Sequence, residues 1–517
     1  MTTGTDSERG ARTLTSRNPV TGAAVAEVPI LGRPEVETAV ERARAAQPGW
    51  GRRRLEERAA VIERLHRLVA DRAEAVVDVL RSETGKPAGE ALGAEVMVAC
   101  DLLAYIAREA PKVLAPRRAR AAPFPHRRAR VVYEPYGVIG ALTPWNYPFV
   151  ISMGVVGTAL AAGNAVVLKP SEWTPTVGRL VGDLAAEATG SAGLCPVVTG
   201  DGSTGAALAA AEVDKIAFTG SVATGRKVMT AAAERLTPVV LELGGKDAMI
   251  VCADADVERA ARGAVWGAFY GCGQVCQSVE RIYVVDAVYD AFVQAAVAEA
   301  RRVRTSDEPE AMIGPLIMPH QVDTIERHLD EARTRGARVL QGGRRVEGLE
   351  AFFQPTVLVD VTDEMDVMRE ETFGPVLPIQ RVADEEEAVR RANGTPFGLD
   401  ASVWSRDRRR ARRIATRLVA GTVLINDHLI NYAIPDLPFG GVGHSGFGRV
   451  HGPEGLREMV RPKAIVEDRL SLNPEPHWFE EGGSGLGFAR ALMDLRHGRG
   501  PGTRLRGALG LLRWVRR

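Results

Sequence analysis

Residues 215–236 read KIAFTGSVATGRKVMTAAAERL. The apolar run ending at Phe218 enters a turn at Gly220 and Ser221, and a helical stretch follows from Arg226. Strand, glycine turn and helix in that order make a βα unit. Free N–H groups and the dipole at the helix start favour a bound anion. The spacing is G-x-x-x-x-G, not the G-x-G-x-x-G of dinucleotide loops. By itself the segment is equally an ordinary strand-to-helix turn.

The same texture recurs on both sides. VVYEPYGVIGALTP (131–144), NAVVLKPSE (164–172) and PVVLELGG (238–245) are short apolar runs that end in Gly or Pro turns and alternate with helices. That is the pattern of buried parallel strands with helical crossovers, so the fold class is α/β. Residues 34–116 are helical in period, with one apolar stripe per helix. Residues 17–33 read as a hairpin, and the polar residues 1–16 as a disordered lead-in without a signal-peptide core. A second α/β unit runs from about 245 to 445. The nearly uncharged run 149–168 is long enough to span a membrane. Its glycines, Asn164 and strand-like ending instead predict a buried helix followed by a core strand.

A chain of 517 residues predicts two or three domains. The net charge of +1 implies no global attraction to nucleic acid or membrane. Five cysteines, an odd number, argue against a disulfide scaffold and for a reducing, cytoplasmic setting. No second Cys pair or His cluster stands at metal-ligand spacing, so no metal is expected.

Three further segments carry chemistry. Lys169 and Glu172 end the NAVVL strand, where open α/β sheets bind ligands. Lysine there reaches ribose or phosphate, and glutamate accepts from a ribose 2′-OH. An exposed salt bridge is the plainer reading. Glu242 lies inside an apolar strand, where a carboxylate is costly unless paired or functional. Burial raises its pKa towards that of a general base. Cys276 follows the glycine-rich turn GCGQVC. A lone cysteine is usually a small buried apolar residue, and Cys272 nearby leaves a redox partner open.

Taken in order, TPWNYP (143–148), LKPSE (168–172), FTGS (218–221), LELGGKD (241–247), GQVCQS (273–278), EETFGPV (370–376) and LPFGGVGHSGFGR (437–449) resemble the aldehyde dehydrogenase superfamily. The match runs from about Asn18 to Lys463. The C-terminal motif is similar to the branch of class 3, fatty and coniferyl aldehyde enzymes and bacterial semialdehyde enzymes. The resemblance implies a Rossmann-like cofactor domain (17–116 and 136–244), an α/β catalytic domain (245–450) and a small β-arm for oligomerisation (117–135 and 460–475). A basic extension (476–517) follows.

The resemblance also implies roles. Cys276 is the nucleophile, Glu242 the general base, and Asn146 the oxyanion donor together with the Cys276 N–H. Lys169 and Glu172 hold the adenosine ribose. Gly220 and Ser221 lie by the pyrophosphate, and Glu371 and Phe373 by the nicotinamide ribose and ring. Thr143, Pro144, Trp145, Ser171, Gly202, Phe218, Leu243 and Gly244 complete the cofactor site. Glu172 favours NAD over NADP, although similar relatives accept both. An intact Glu242 favours hydrolysis over transfer to coenzyme A. The implied reaction is NAD(P)-dependent oxidation of an aldehyde to a carboxylic acid by a homodimer or homotetramer.

The segment HLINYAIPDLP (428–438) is expected at the substrate entrance. It is mostly apolar and lacks arginine. That favours an apolar or aromatic aldehyde over succinic semialdehyde. A catalytically silent structural or membrane-surface protein is the alternative of a different class. Residues 486–517 hold eight arginines against the single Asp494. Peripheral membrane association is one reading of this tail. Gly498, Gly500, Gly502, Gly507 and Gly510 favour a solvated, disordered one. The arginine cluster 117–130 lacks interleaved aromatics, so no nucleic-acid partner is expected.

Overall fold

The computed structural model describes residues 12–122, 124, 126–307, 311–471, 475, 478 and 485–515. Tyr133–Arg461 together with the chain up to Ala115 forms one compact unit, and Pro116–Val132 with Pro462–Arg517 forms another.

The larger unit begins with an antiparallel hairpin of Thr13–Arg17 and Ala24–Pro29. The strand therefore starts inside the segment expected to be disordered. Residues 1–11 lie outside the described part. The hairpin turn is set by Asn18, whose Oδ1 accepts from the N–H groups of Val20 and Thr21 at 2.9 and 3.0 Å. That local bond closes the turn and lets the strand from Thr13 pair with its neighbour. Helices Arg33–Gly51, Leu55–Asp71, Ala73–Thr84 and Val98–Val113 follow. Each buries residues three or four apart, such as Ile62, Leu65 and Val69.

A five-stranded sheet has the order Gly446–Phe447, Val239–Leu243, Lys215–Gly220, Val138–Leu142, Ala165–Lys169. All pairs are parallel except the first. Strand Val138–Leu142 pairs with a neighbour on each side, so the winding reverses there and a crevice opens at the carboxyl ends. The apolar run forms helix Pro148–Ala162 and strand Ala165–Lys169, both wholly buried. Asn164 between them donates to the Met459 carbonyl at 2.8 Å. The run is core, and among the described residues no helix is long and apolar enough to cross a membrane.

Only Gly244, Gly245 and Lys246 separate strand Val239–Leu243 from strand Asp247–Val251 of a second sheet. That seven-stranded sheet also holds Val279–Val285, Val376–Val382 and Asp400–Trp404. The carboxyl ends of the first sheet and the amino ends of the second carry the motifs singled out above.

The smaller unit contains a sheet ordered Val460–Asp468, Arg127–Pro135, Arg117–Ala119. Its C-terminal part is a pair of helices, Leu486–His497 and Pro501–Val515. The disordered reading of this tail is therefore corrected. Its glycines do not break the helix. Gly507 lies against the Ala491 and Leu495 backbone, and a Cβ on Gly510 would come 2.8 Å from that of Ala491. Glycine allows this close approach, which offsets its low helix propensity.

Candidate active site

Strand Val138–Leu142 ends in Thr143, Pro144, Trp145 and Asn146, and helix Pro148–Ala162 starts at once. The first N–H groups of that helix, on Phe149 and Val150, donate to Glu95 Oε2 at 2.8 and 3.3 Å. A carboxylate satisfies these otherwise orphaned donors and suits the helix dipole. Lys86 faces both Glu95 and Glu90 at 3.2 Å. So anchored, the turn aims Asn146 at the second sheet. Its Nδ2 donates to the Gln274 carbonyl at 2.9 Å. Gln274 is itself held, with Nε2 donating to Gly271 and Pro315 carbonyls and Oε1 accepting from the Ile317 N–H.

Helix Val257–Phe269 leads into the turn before Cys276. Gly271, Cys272 and Gly273 all have positive φ there, between 58 and 71°. Three left-handed residues in succession reverse the chain within one turn. Cys272 is fully buried. Burial pushes the Cys276 thiol well above its ordinary range, and the carboxylates of Asp400, Asp247, Glu371 and Glu242 add to this.

Glu242 lies on strand Val239–Leu243 with Gly446 paired beside it. Neither of its buried carboxylate oxygens has a hydrogen-bond partner among the described residues. Burial raises its pKa well above the usual carboxylate range, against the opposing pull of Arg449. A Cβ on Gly440 would sit 2.6 Å from Oε1, so the first glycine of FGGVG leaves the carboxylate its space.

Glu371 packs on the Gly244 backbone, where any Cβ would collide with its carboxylate. Its Oε1 accepts from the Gly245 N–H at 3.2 Å, and burial lifts its pKa to about 8. Phe373 has φ 51°, a strained backbone for a bulky residue. Buried Glu280 holds it there. The N–H groups of Thr372 and Phe373 each donate to its carboxylate at 2.8 Å, and the Lys246 ammonium donates to it from behind. The Phe373 ring meets Trp145 edge-on with centroids 5.4 Å apart.

A cavity of about 240 Å³ gathers most of these groups. Pro144, Trp145, Asn146, Gly220, Ser221, Glu242, Leu243, Gly244, Cys276, Glu371 and Phe373 all line it. Its remaining wall includes Ile151, Val155, Leu399, Tyr432, Phe439, Arg449 and Met459. Ser221 also caps helix Val222–Ala233, its Oγ accepting from the Thr224 N–H at 3.3 Å.

Six expected cofactor residues lie outside that lining: Thr143, Lys169, Ser171, Glu172, Gly202 and Phe218. The Thr143 hydroxyl accepts from Ser152 Oγ at 2.8 Å. Phe218 packs under Gly220, where a Cβ would meet its ring at 2.7 Å. Lys169 donates to Glu172 at 3.3 Å. The Ser203 hydroxyl and N–H lower the pKa of Asp201, the cap of helix Gly202–Ala210, with Arg12 and Lys169 adding smaller pulls.

The sequence reading passed over Gln274, Glu280, Lys246 and Arg449. Lys246 and Glu280 carried a signal, since a charged residue beside a buried strand needs a partner. Gln274 acts through its backbone carbonyl, which sequence does not reveal. Arg449 stands in a quoted motif. Its Nη1 donates to the Gly441 and Gly448 carbonyls at 3.0 and 2.6 Å.

The Aldehyde dehydrogenase family pattern matches residues 5–465. A Methylomonas protein named 4,4′-diapolycopene aldehyde oxidase is 40% identical over 94% of this chain and 92% of its own. That cover leaves fewer residues unmatched than follow position 465, so it reaches into the C-terminal segment. A protein from Mycolicibacterium smegmatis named putative succinate-semialdehyde dehydrogenase [NADP(+)] is 38% identical over 88% of this chain and 89% of its own. The crystal structure of a Mycobacterium tuberculosis aldehyde dehydrogenase complexed with NAD+ superposes with a TM-score of 0.86 at 35% identity, covering 90% of this chain and 96% of that one. The chain belongs to the aldehyde dehydrogenase family.

Proposed function

We propose that this chain oxidises an aldehyde to a carboxylic acid with NAD(P)+, through covalent addition to Cys276 and hydrolysis by water activated at Glu242. The observation that carries the reading is one cavity lined by Cys276, Asn146 and a Glu242 whose buried oxygens are unpartnered. A carboxylate kept open in that way has room for a water. Its raised pKa suits it to take a proton.

The Cys276 thiolate attacks the aldehyde carbon, and the carbonyl electron pair moves to oxygen. Asn146 has one Nδ2 proton committed to Gln274 and a second to donate to that oxyanion. The Cys276 N–H is the other donor. Bound NAD(P)+ supplies the hydride acceptor. At the resulting thioester, Glu242 takes a proton from water, the hydroxyl adds to the acyl carbon and the C–S bond breaks. The acid leaves and the thiolate is restored.

The chain's residues fit such a cofactor. Gly220 and Ser221 open a helix N-terminus suited to the pyrophosphate. Glu371 and Phe373 stand by Cys276 for the nicotinamide riboside. Lys169, Ser171 and Glu172, with Gly202 near, suit the adenosine ribose. Glu172 puts a carboxylate where a 2′-phosphate would have to sit, which favours NAD. The relatives named for NADP keep the second cofactor in the comparison.

The substrate is a long apolar aldehyde. Ile151, Val155, Leu399, Phe439 and Met459 add apolar side chains to the cavity lining. The relative named for a diapolycopene aldehyde supports this class. Arg449 favours a second reading, succinic semialdehyde, because a cation lines the same cavity. NADH formation across aliphatic, polyene and semialdehyde substrates decides between them. A kcat/KM highest for succinic semialdehyde overturns the apolar assignment. The sheet of Val460–Asp468, Arg127–Pro135 and Arg117–Ala119 is assigned as the arm of a homodimer or homotetramer, in the cytoplasm.

A further inference from the structure

The C-terminal helix pair presents a face that the aldehyde chemistry does not use. In helix Pro501–Val515, Leu505, Leu509 and Leu512 are 62, 49 and 56% exposed. Their spacing of four and three places them on one stripe. That stripe points away from Gly507, which lies against the first helix. Arg504 falls on one flank of the stripe and Arg506 and Arg513 on the other, all exposed. Helix Leu486–His497 adds two exposed apolar residues, Leu486 and Met493, 70 and 57% exposed and seven residues apart. Arg490 lies between them. The helices bury their small residues, Ala491 and Gly507, against each other and leave Leu486, Met493, Leu505, Leu509 and Leu512 exposed, while Leu492, Leu495 and Leu511 are half-buried. Water alone gives no reason for that arrangement.

We propose that this helix pair lies on the surface of an anionic lipid bilayer. An apolar stripe rimmed by arginines on both sides is the geometry of a helix at a membrane interface, with leucines among the acyl chains and guanidiniums at the phosphates. Eight arginines against one aspartate in residues 486–517 match a negative surface and oppose a neutral one. At 12 and 15 residues the helices are too short to span. The chain is held on the surface, not inserted through it. This placement stands apart from the substrate assignment, because a short water-soluble aldehyde reaches the active site without any bilayer.

The test is flotation of the full chain with phosphatidylcholine vesicles that contain or lack phosphatidylglycerol. Two variants accompany it: Leu505→Ser/Leu509→Ser/Leu512→Ser and Arg504→Gln/Arg506→Gln/Arg513→Gln. Binding is expected only with phosphatidylglycerol, weakened by salt and by each triple substitution more than about tenfold. NADH formation from a short soluble aldehyde stays unchanged in both variants. Equal binding to neutral vesicles, or no binding to either, overturns the proposal. So does a change of oligomer mass by light scattering in the leucine variant, which makes the stripe a contact between copies of the chain.

Discussion

Asn146 Nδ2 donates to the Gln274 carbonyl at 2.9 Å, two residues before Cys276. The contact ties the TPWN turn of the first sheet to the cysteine turn of the second. It leaves the second Nδ2 proton of Asn146, a cavity-lining residue, uncommitted to Gln274. Asn146→Ala is expected to lower kcat by about 10²–10³-fold, the usual effect of losing one oxyanion donor. Steady-state kinetics with KM nearly unchanged supports this role. A rise in KM alone would assign Asn146 to ground-state binding.

Cys276 titrates high because of burial first and four carboxylates second. Its thiolate fraction, and so its alkylation rate in the cofactor-free enzyme, is expected to climb with pH without levelling below the ordinary thiol range. Asp400, with a pKa of about 7, is the largest contributor after burial. Removing that negative charge favours the thiolate, so Asp400→Asn moves the iodoacetamide profile to lower pH. An unmoved profile contradicts the electrostatic account.

Glu280 holds the strained Phe373 backbone, and Lys246 neutralises it from behind. Lys246→Met leaves an uncompensated buried carboxylate, with an expected loss of about 3–5 kcal/mol in chemical denaturation. Glu280→Gln keeps the shape and an acceptor. It is expected to raise KM for the cofactor more than it lowers kcat. Loss of kcat with KM unchanged argues against a positioning role.

Glu172 accepts from Lys169 and Ser171. Glu172→Gln removes the charge that repels a 2′-phosphate. The ratio of kcat/KM for NADP over NAD is expected to rise about tenfold, the equivalent of roughly 1.4 kcal/mol. An unchanged ratio places the discrimination elsewhere.

Much of this was legible in residue order. The βα texture around 215–236 pointed to the parallel sheet, and five of the seven motifs hold the eleven expected residues that line one cavity. Two kinds of feature were not legible. The first depends on long-range partners: Gln274 acts through a backbone carbonyl, and Glu280 and Lys246 meet across a strand gap that no local pattern encodes. The second depends on packing overriding propensity. The glycines of 498–510 count against a helix one by one, yet Gly507 and Gly510 are where the two tail helices touch.

In the proposed reaction Cys276 carries the acyl group and Glu242 activates the water that removes it. Glu242→Gln with excess NAD+ and aldehyde, followed at once by NADH absorbance and intact mass, tests it most directly. The account predicts a burst of about one NADH per site, then slow turnover, with the acyl mass trapped on Cys276. It predicts neither burst nor adduct in Cys276→Ala. Wild-type turnover in Glu242→Gln, or an adduct that persists without Cys276, would contradict it.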